Sequence, residues 1–482
     1  MHFPKLAFVG PLAYLASTVV SSPAPQSLDL SAFEPEDIIR RDVAVIGGGS
    51  SGTYSAISLV DKGHSVIVVE KQGRLGGHTA TYTDPATGIS TEIGVQIYHN
   101  YTIVKDYFAR FNIPLIESPG FFQSEDFFDY RTGERVFPSF APQEEVSAAF
   151  AALSEQLAQY PGLNDGIFLP DPVPEDLLLP FGEFATKYGI EAAVPTMHVF
   201  NPGIGDILEN PTLEQARYWT VLGMIQSIEA GFLTTARFDS SELYIKAEVE
   251  LSQTESVLLN SQVISAARNQ GDAGISLVVN TPTGRKLILA KKLLIAIPPK
   301  LDLVETLDLS TEESTLFSKY ISAGYYAGAL NNTSFSEEAS ISNAIQDSPY
   351  NLLALPAAYN FSPTRIPGLQ IFHYGTPQSN ATFPLTNEEV QNHVVETIRL
   401  LQTENPDQYE ITEPEWVAFH SHAPYSLQVS AEDIRDGFYR KLYALQGQRN
   451  TYWTGAAFRA EDSSLLWKFS EEQVLPGLVE GL

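Results

Sequence analysis

The chain has 482 residues, 44% of them hydrophobic and 18% charged, a balance that builds packed cores and excludes a disordered polymer. Its length points to two domains rather than one core. The formal charge of −29 repels phosphate backbones and anionic membrane surfaces and excludes nucleic acid as a partner, while the absence of cysteine removes disulfides, thiolate metal sites and a cysteine nucleophile.

Taken in chain order, residues 1–22 have the layout of a secretory signal peptide: Lys5 as a positive start, an apolar run from Leu6 to Val20, then small Ser21 and Ser22. The run falls short of the roughly 18–20 residues a helix needs to cross a bilayer. Gly10 and Pro11 interrupt it, so no stable membrane span is expected; a membrane anchor and a buried helix are the competing readings. Glycosylation sequons at Asn100, Asn331, Asn332, Asn360 and Asn380 agree with a secretory-pathway or extracellular location. Residues 23–40, Ser/Pro-rich and then acidic, read as a linker without regular structure.

Arg41-Asp-Val-Ala-Val-Ile-Gly47 reads as a buried strand, Ser50 to Lys62 as a helix with Ala56, Leu59 and Val60 on its apolar face, and Ser65-Val-Ile-Val-Val-Glu70 as a second strand. This is one βαβ unit of about 30 residues. Its turn, Gly47-Gly-Gly49-Ser-Ser-Gly52, fits a dinucleotide fingerprint. Gly47 makes the tight turn, Gly49 lets the backbone approach a pyrophosphate, and Gly52 lets helix and strand pack closely. The helix N-terminus offers free N–H groups to the phosphates. Glu70 is placed to accept hydrogen bonds from a ribose 2′-hydroxyl, which disfavours the 2′-phosphate of NADP and leaves NAD and FAD open.

The stretch 116–230 is helical in pattern, Pro-punctuated and rich in Phe and Tyr, which suits a substrate-side domain. Val263-Ile264, Ile275-Ser-Leu-Val-Val-Asn280, Lys286-Leu-Ile-Leu-Ala290 and Leu293-Leu-Ile-Ala-Ile-Pro298 read as strands returning to the first sheet. Residues 306–430 mix short strands and aromatic-rich turns, and Thr451-Tyr-Trp-Thr-Gly455 is a last strand before a short helix from Ser463. The expected fold is α/β: a Rossmann-like cofactor domain, discontinuous over 41–115, 231–305 and 431–482, with a mixed α+β substrate domain over 116–230 and 306–430.

Glu70-Lys-Gln-Gly-Arg74-Leu-Gly76-Gly77-His78 resembles the second fingerprint of the flavin-containing amine oxidases, with His78 where that family has a final arginine. Three later runs are similar to the family's other cofactor contacts: Thr91-Glu-Ile-Gly-Val-Gln-Ile-Tyr98-His99 beside the flavin ring, Val263 at the adenine, and Tyr452-Trp-Thr-Gly455-Ala456 at the C-terminal motif, whose glutamate is replaced by Ala456. The resemblance implies FAD rather than NAD. It also implies that the helix capped by Asp462 or Ser463 faces the flavin N1/C2=O region, where a helix end stabilises the anionic reduced form. His78 is then a flavin contact or the site of a covalent histidyl link; with no cysteine, a cysteinyl link is excluded.

Arg74-Leu-Gly-Gly-His78, His420-Ser-His-Ala-Pro-Tyr425, Tyr452 to Phe458 and Ser463-Ser-Leu-Leu-Trp467 are more closely similar to the fungal beta-cyclopiazonate dehydrogenase family. That resemblance implies an FAD-dependent oxidoreductase dehydrogenating, and for some scaffolds oxidatively cyclising, a hydrophobic secondary metabolite such as a prenylated alkaloid or terpenoid, by hydride transfer to flavin N5. Molecular oxygen is the candidate electron acceptor, with peroxide as its product. Ser322 to Ala329, where amine oxidases carry a lysine near N5, has none, and Lys319 lies too early. An amine or polyamine oxidase is therefore the second reading, and a non-catalytic flavin-binding protein the third. His99, Tyr98, His422 and Tyr425 are the catalytic candidates, His422 being equally well a structural histidine and His420 more readily so. Tyr374 reads as a sheet-edge aromatic. Phe121, Phe122, Phe127 and Phe128 read as a pocket entrance or as core.

Overall fold

A computed structural model describes residues 32–120, 124–268 and 274–482. The signal segment 1–22, the first half of the linker (23–31), and Phe121 and Phe122 lie outside the described residues. Among the described residues no helix is long and apolar enough to cross a membrane.

A seven-stranded sheet carries the N-terminal βαβ unit. Ile38–Ile46 lies at its centre, parallel to Val66–Val69 on one side and to Gly284–Ile295 on the other. The long Gly284–Ile295 strand also takes Ile275–Thr281 antiparallel along its first half and Thr451–Trp453 parallel along its end. Gln262–Arg268 and Val257–Leu258 are the outer strands. Val43, Ala44, Val45, Val66, Ile67 and Val68 are fully buried, as in a parallel sheet covered on both faces. The Ser50–Asp61 helix covers one face with Ala56, Ile57 and Leu59.

The expected linker is too long at its C-terminal end. Pro35–Asp37 forms a short 3-10 turn, and the central strand starts at Ile38 rather than Arg41. Ile38 and Ile39 pair with Leu287 and Ile288, a tertiary partner that the local Ser/Pro-rich composition does not reveal.

A second seven-stranded sheet runs in the order Glu415–Ser421, Tyr325–Asn331, Gln370–Gly375, Ala357–Pro363, Ala339–Asn343, Ser124–Phe128, Arg135–Val136. The 116–230 stretch is thus not wholly helical, because Ser124–Phe128 pairs in parallel with Ala339–Asn343. Alternation sorts the two faces. Tyr326, Phe372 and Tyr374 pack under the Asn387–Glu404 helix with Val390, Val394 and Ile398. Tyr374 is therefore not an edge residue: it lies on an inner strand and its hydroxyl bonds His393 Nδ1 at 2.8 Å. The other face presents Tyr325, His373 and His420, the two histidines flanking Ala327 across the sheet. Phe127 faces the same side and Phe128 the core.

A cofactor-sized cavity between the two sheets

A cavity of about 1620 Å³ opens between the sheets. That exceeds the ~300–1,000 Å³ of an ordinary small-molecule pocket and leaves room for a dinucleotide plus a substrate. Its nucleotide end grows from the first sheet. Gly47, at φ +101°, turns the chain into the Ser50–Asp61 helix. A Cβ on Gly52 would sit 1.9 Å from the Gly47 carbonyl oxygen, so turn and helix touch only because both residues are bare. Gly49 is different: a Cβ there meets nothing nearer than the Gly77 Cα, 3.9 Å away, and Gly49 lines the cavity. No side chain caps the helix start, which leaves its first N–H groups to an anion.

Glu70 accepts from Gly48 N and from Gln72 N, each at 2.7 Å through a different oxygen. Each oxygen retains a lone pair for a sugar hydroxyl. Arg74 lines the cavity but spends its guanidinium on the carbonyls of Leu75, Gly77 and Thr79 at 2.9–3.1 Å, bracing the loop that carries Gly76 and Gly77. Val263 lines the same end, where the strand register shifts between Val263 and Ser265.

At the C-terminal end, Gly455 adopts φ +109° and starts the Ala456–Phe458 turn. Arg217, buried, donates to Ala456 O at 2.7 Å and is neutralised by Glu214 at 3.1 Å, with Tyr439 OH at 3.0 Å. Asp462 caps the Ser463–Phe469 helix by accepting from Leu465 N at 2.8 Å. Burial opposes its ionisation, yet the His99 ring, the Leu465 N–H and Arg459 together hold it below the usual carboxylate range.

Of the four catalytic candidates, two face the cavity and two do not. His422 and Tyr425 line it, with His78 between them at ring-centroid distances of 4.6 and 5.7 Å. Tyr98 and His99 are absent from the wall. Tyr98 is stacked on Trp467 and edged against Phe108. His99 is fully buried, its Nδ1 on Ser227 Oγ and its Nε2 3.2 Å from Asp462. The sequence run carrying them passes beside the cavity through Gly94 to Ile97 and then turns inward, because Tyr98 pairs with Leu233 through two backbone bonds of 2.8 Å.

The wall beyond the glycine-rich loops is rich in aromatic rings and histidines, with Glu92, Glu125, Arg365, Glu461 and Asp462 among its acidic and basic side chains. Tyr325 stands 4.8 Å from Tyr425 and 5.8 Å from His422. Burial pushes the imidazoles of His78, His198 and His373 down to about 4, and His422 well below its ordinary value. Burial also pushes the phenol of Tyr325 up, and that of Tyr359 to about 12. Lys71, at the nucleotide end, is the one lysine on the wall among the described residues; Lys319 pairs with Asp433 away from it. Two carboxyls stand out, with burial raising Glu92 to about 8 and Glu461 to about 7.

Residues 45–111 match the NAD(P)-binding Rossmann-like domain family. Over 471 residues, 97% of each chain, the protein is 52% identical to the FAD-dependent oxidoreductase oblC of Cochliobolus heterostrophus. It is 35% identical to beta-cyclopiazonate dehydrogenase of Aspergillus oryzae, over 92% of this chain and 94% of that one. The chain belongs to this family of FAD-dependent oxidoreductases. Among solved structures, a CLA-producing fatty acid isomerase from P. acnes superposes with a TM-score of 0.69 at 20% identity, covering 90% of this chain and 98% of that one. Wild-type putrescine oxidase superposes at 0.60 and 16% identity, covering 91% and 99%. These two share the fold.

The cofactor of this oxidoreductase is FAD, and the cavity fits it. Gly49 and Gly77 leave a cradle that a side chain would fill, the uncapped helix start faces it, and Glu70 keeps acceptor capacity for a ribose. Sequence reasoning passed over Glu461, Tyr325, His198, His373 and Tyr359, all on the wall. The alternation of Tyr325 with Ala327 on one strand was a usable signal; Glu461 was masked by Asp462, which reads as an ordinary helix cap. The sequons divide as well. Asn100, Asn332 and Asn380 are exposed, whereas Asn331 is half-buried, and Asn360 lines the cavity with its amide bonded to His373 and Ser362.

Proposed function

We propose that this FAD-dependent oxidoreductase dehydrogenates a hydrophobic secondary metabolite, a prenylated alkaloid or terpenoid, with ring closure where the oxidised scaffold carries a nucleophile in reach. The observation that carries the reading is the substrate wall itself: aromatic rings, histidines held neutral by burial, and no lysine beyond Lys71. FAD, when bound, would supply a hydride acceptor at its N5. Gly47, Gly49, Gly52, Gly76 and Gly77 would admit its pyrophosphate, Glu70 would take ribose hydroxyls, the Val263 main chain would meet the adenine, and Gly455 would border the flavin end.

His422 and Tyr425 orient the substrate on this reading, with the His78 ring against both. His99 and Tyr98 act from behind the wall: His99 fixes Asp462 at the head of the Ser463–Phe469 helix, and Tyr98 packs that helix through Trp467. Oxygen is the proposed electron acceptor. The two sheets support the division into a cofactor domain and a substrate domain. The residue pattern of 1–22 and the exposed Asn100, Asn332 and Asn380 support a place in the secretory pathway.

A second reading, an amine or polyamine oxidase, draws on Glu461, which offers an ammonium ion an anionic partner once it ionises. The test is anaerobic mixing of the holoprotein with beta-cyclopiazonate and a panel of prenylated indoles and terpenoids, against putrescine and cyclic amines. Bleaching of the oxidised flavin by members of the first group, but by no amine, is the expected result. Bleaching by amines alone would replace this reading with the second. A flavin that photoreduces and reoxidises in air but responds to neither group would favour a binding protein.

A further inference from the structure

Hydride abstraction leaves a proton to be placed, and the cavity wall is short of groups able to take it at neutral pH. His78, His198, His373 and His422 are pushed far below neutrality by burial and are weak bases. The tyrosines facing them are pushed the other way. Among the wall's carboxyls are Asp462, Glu92, Glu125 and Glu461. Asp462 has one oxygen on Leu465 N and the other against His99. Glu92 has one oxygen on Thr81 Oγ1 and the other on Ser240 N, where it holds the start of the Ser241–Gln253 helix. Glu125 accepts from Ser342 Oγ through one oxygen but sits on the Ser124–Phe128 strand, whereas Glu461, which accepts from Ser426 N at 3.0 Å through one oxygen, sits on the loop after the Gly455 turn.

The Ser426 bond also places Glu461. Ser426 follows Tyr425, and the Glu461 charge acts on the Tyr425 phenol, so the carboxyl is held near that residue, on the loop that leads from the Gly455 turn to the Asp462 cap. Glu461 therefore lies on the cavity wall between the Gly455 turn and the aromatic end, and among the described residues its second oxygen has no hydrogen-bond partner. The charged and titratable groups around it are Arg217 and Tyr425 from the facing segments and Asp462 on its own.

We propose that Glu461 is a catalytic base of this enzyme, receiving the proton that the substrate releases as its hydride leaves. The balance is that of a two-electron dehydrogenation. One substrate C–H bond breaks with its electron pair going to FAD. An adjacent O–H, N–H or C–H bond breaks with its pair forming the new double bond and its proton going to the Glu461 carboxylate. Substrate is oxidised, FAD is reduced, and Glu461 ends neutral. Burial, which holds its carboxyl near about 7, gives it proton affinity matched to that task.

The inference rests on the dehydrogenase reading, and two arms separate their failures. In the first, an infrared difference spectrum of the holoprotein between about pH 5 and about pH 9 should show a carboxyl C=O band titrating near 7 that Glu461→Gln removes. Glu461→Gln keeps an oxygen for Ser426 N, so the loop is retained. In the second, anaerobic flavin reduction is followed with whichever probe compound bleaches the wild type. Glu461→Gln should slow reduction by about 10²–10⁴-fold, with flavin content and the half-saturating probe concentration little changed, and should lose the limb of the rate profile that rises through neutrality. A band titrating near 7 that persists in Glu461→Gln, apart from the one Glu92 gives near 8, or a variant that reduces at the wild-type rate with the limb intact, would overturn the assignment. Failure of every probe to bleach the wild type counts against the dehydrogenase reading, while the infrared arm still decides where the titrating carboxyl lies.

Discussion

Two glycines three residues apart do different work at the nucleotide turn. Gly52 is a packing residue: a methyl there would lie 1.9 Å from a backbone oxygen that cannot move without breaking the turn. Gly49 is a ligand residue, with open cavity in front of it and φ −72°, which any side chain adopts. Gly52→Ala should therefore lower the thermal stability of the protein with and without FAD. Gly49→Val should leave the FAD-free protein folded, by circular dichroism, but colourless after incubation with FAD. A yellow, fully loaded Gly49→Val protein would remove the pyrophosphate from this turn. Both glycines were legible in the sequence because the fingerprint is local. Their separate roles follow from the fingerprint too, and the structure adds what stands opposite each Cβ: a backbone oxygen at Gly52 and open cavity at Gly49.

At the scale of elements, the Ser463–Phe469 helix shows how a short motif is held from a distance. Asp462 caps it, His99 comes from a turn more than 360 residues earlier to meet that cap, and Ser464 Oγ accepts from His99 N at 3.0 Å. Asp462→Ala should cost about 1 kcal/mol from the lost cap, and more because His99 is left buried without its acceptor. Asp462→Asn keeps the cap and should cost less. Denaturant unfolding of the two variants checks the order; equal losses would show that the His99 contact carries no stability. The motif containing His99 was visible in the sequence, and its Gly94 to Ile97 stretch lines the cavity. The side-chain direction was not visible, because the bridge from Tyr98 to Leu233 turns Tyr98 and His99 inward.

For the molecule as a whole, the buried titratable groups set a pH window. Glu92 and Glu461 are raised in the folded state, so the stability they contribute is present below their ordinary carboxylate range and is lost as pH rises through about 7 and about 8. His78, His198 and His373 are depressed, so theirs is present above 6.5 and is lost as pH falls through about 4. Melting temperature should thus fall on both sides of mildly acidic to neutral pH. Glu92→Gln should flatten the alkaline limb while sparing the acid one, as differential scanning calorimetry across pH would show; an unchanged alkaline limb would mean that Glu92 is ionised in the folded protein.

The sequence by itself determined the cofactor half of this protein. A nucleotide turn is built by residues adjacent along the chain, so Gly47, Gly49, Gly52, Glu70 and the Arg74–Gly77 loop announce themselves by spacing, and the strand pattern of the first sheet follows from runs of buried β-branched residues. The substrate half was decided by tertiary structure. Its wall is assembled from Tyr325, His373, His422, Tyr425 and Glu461, which come from separate strands and loops, and sheet register alone decides which alternate residues face the cavity. The same register sends Tyr326 and Tyr374 beneath a helix, and a single bond to Ser426 N sets Glu461 beside Tyr425. Spacing along a chain reveals contacts made within a turn or a helix; it cannot reveal those made only when two sheets close on one another.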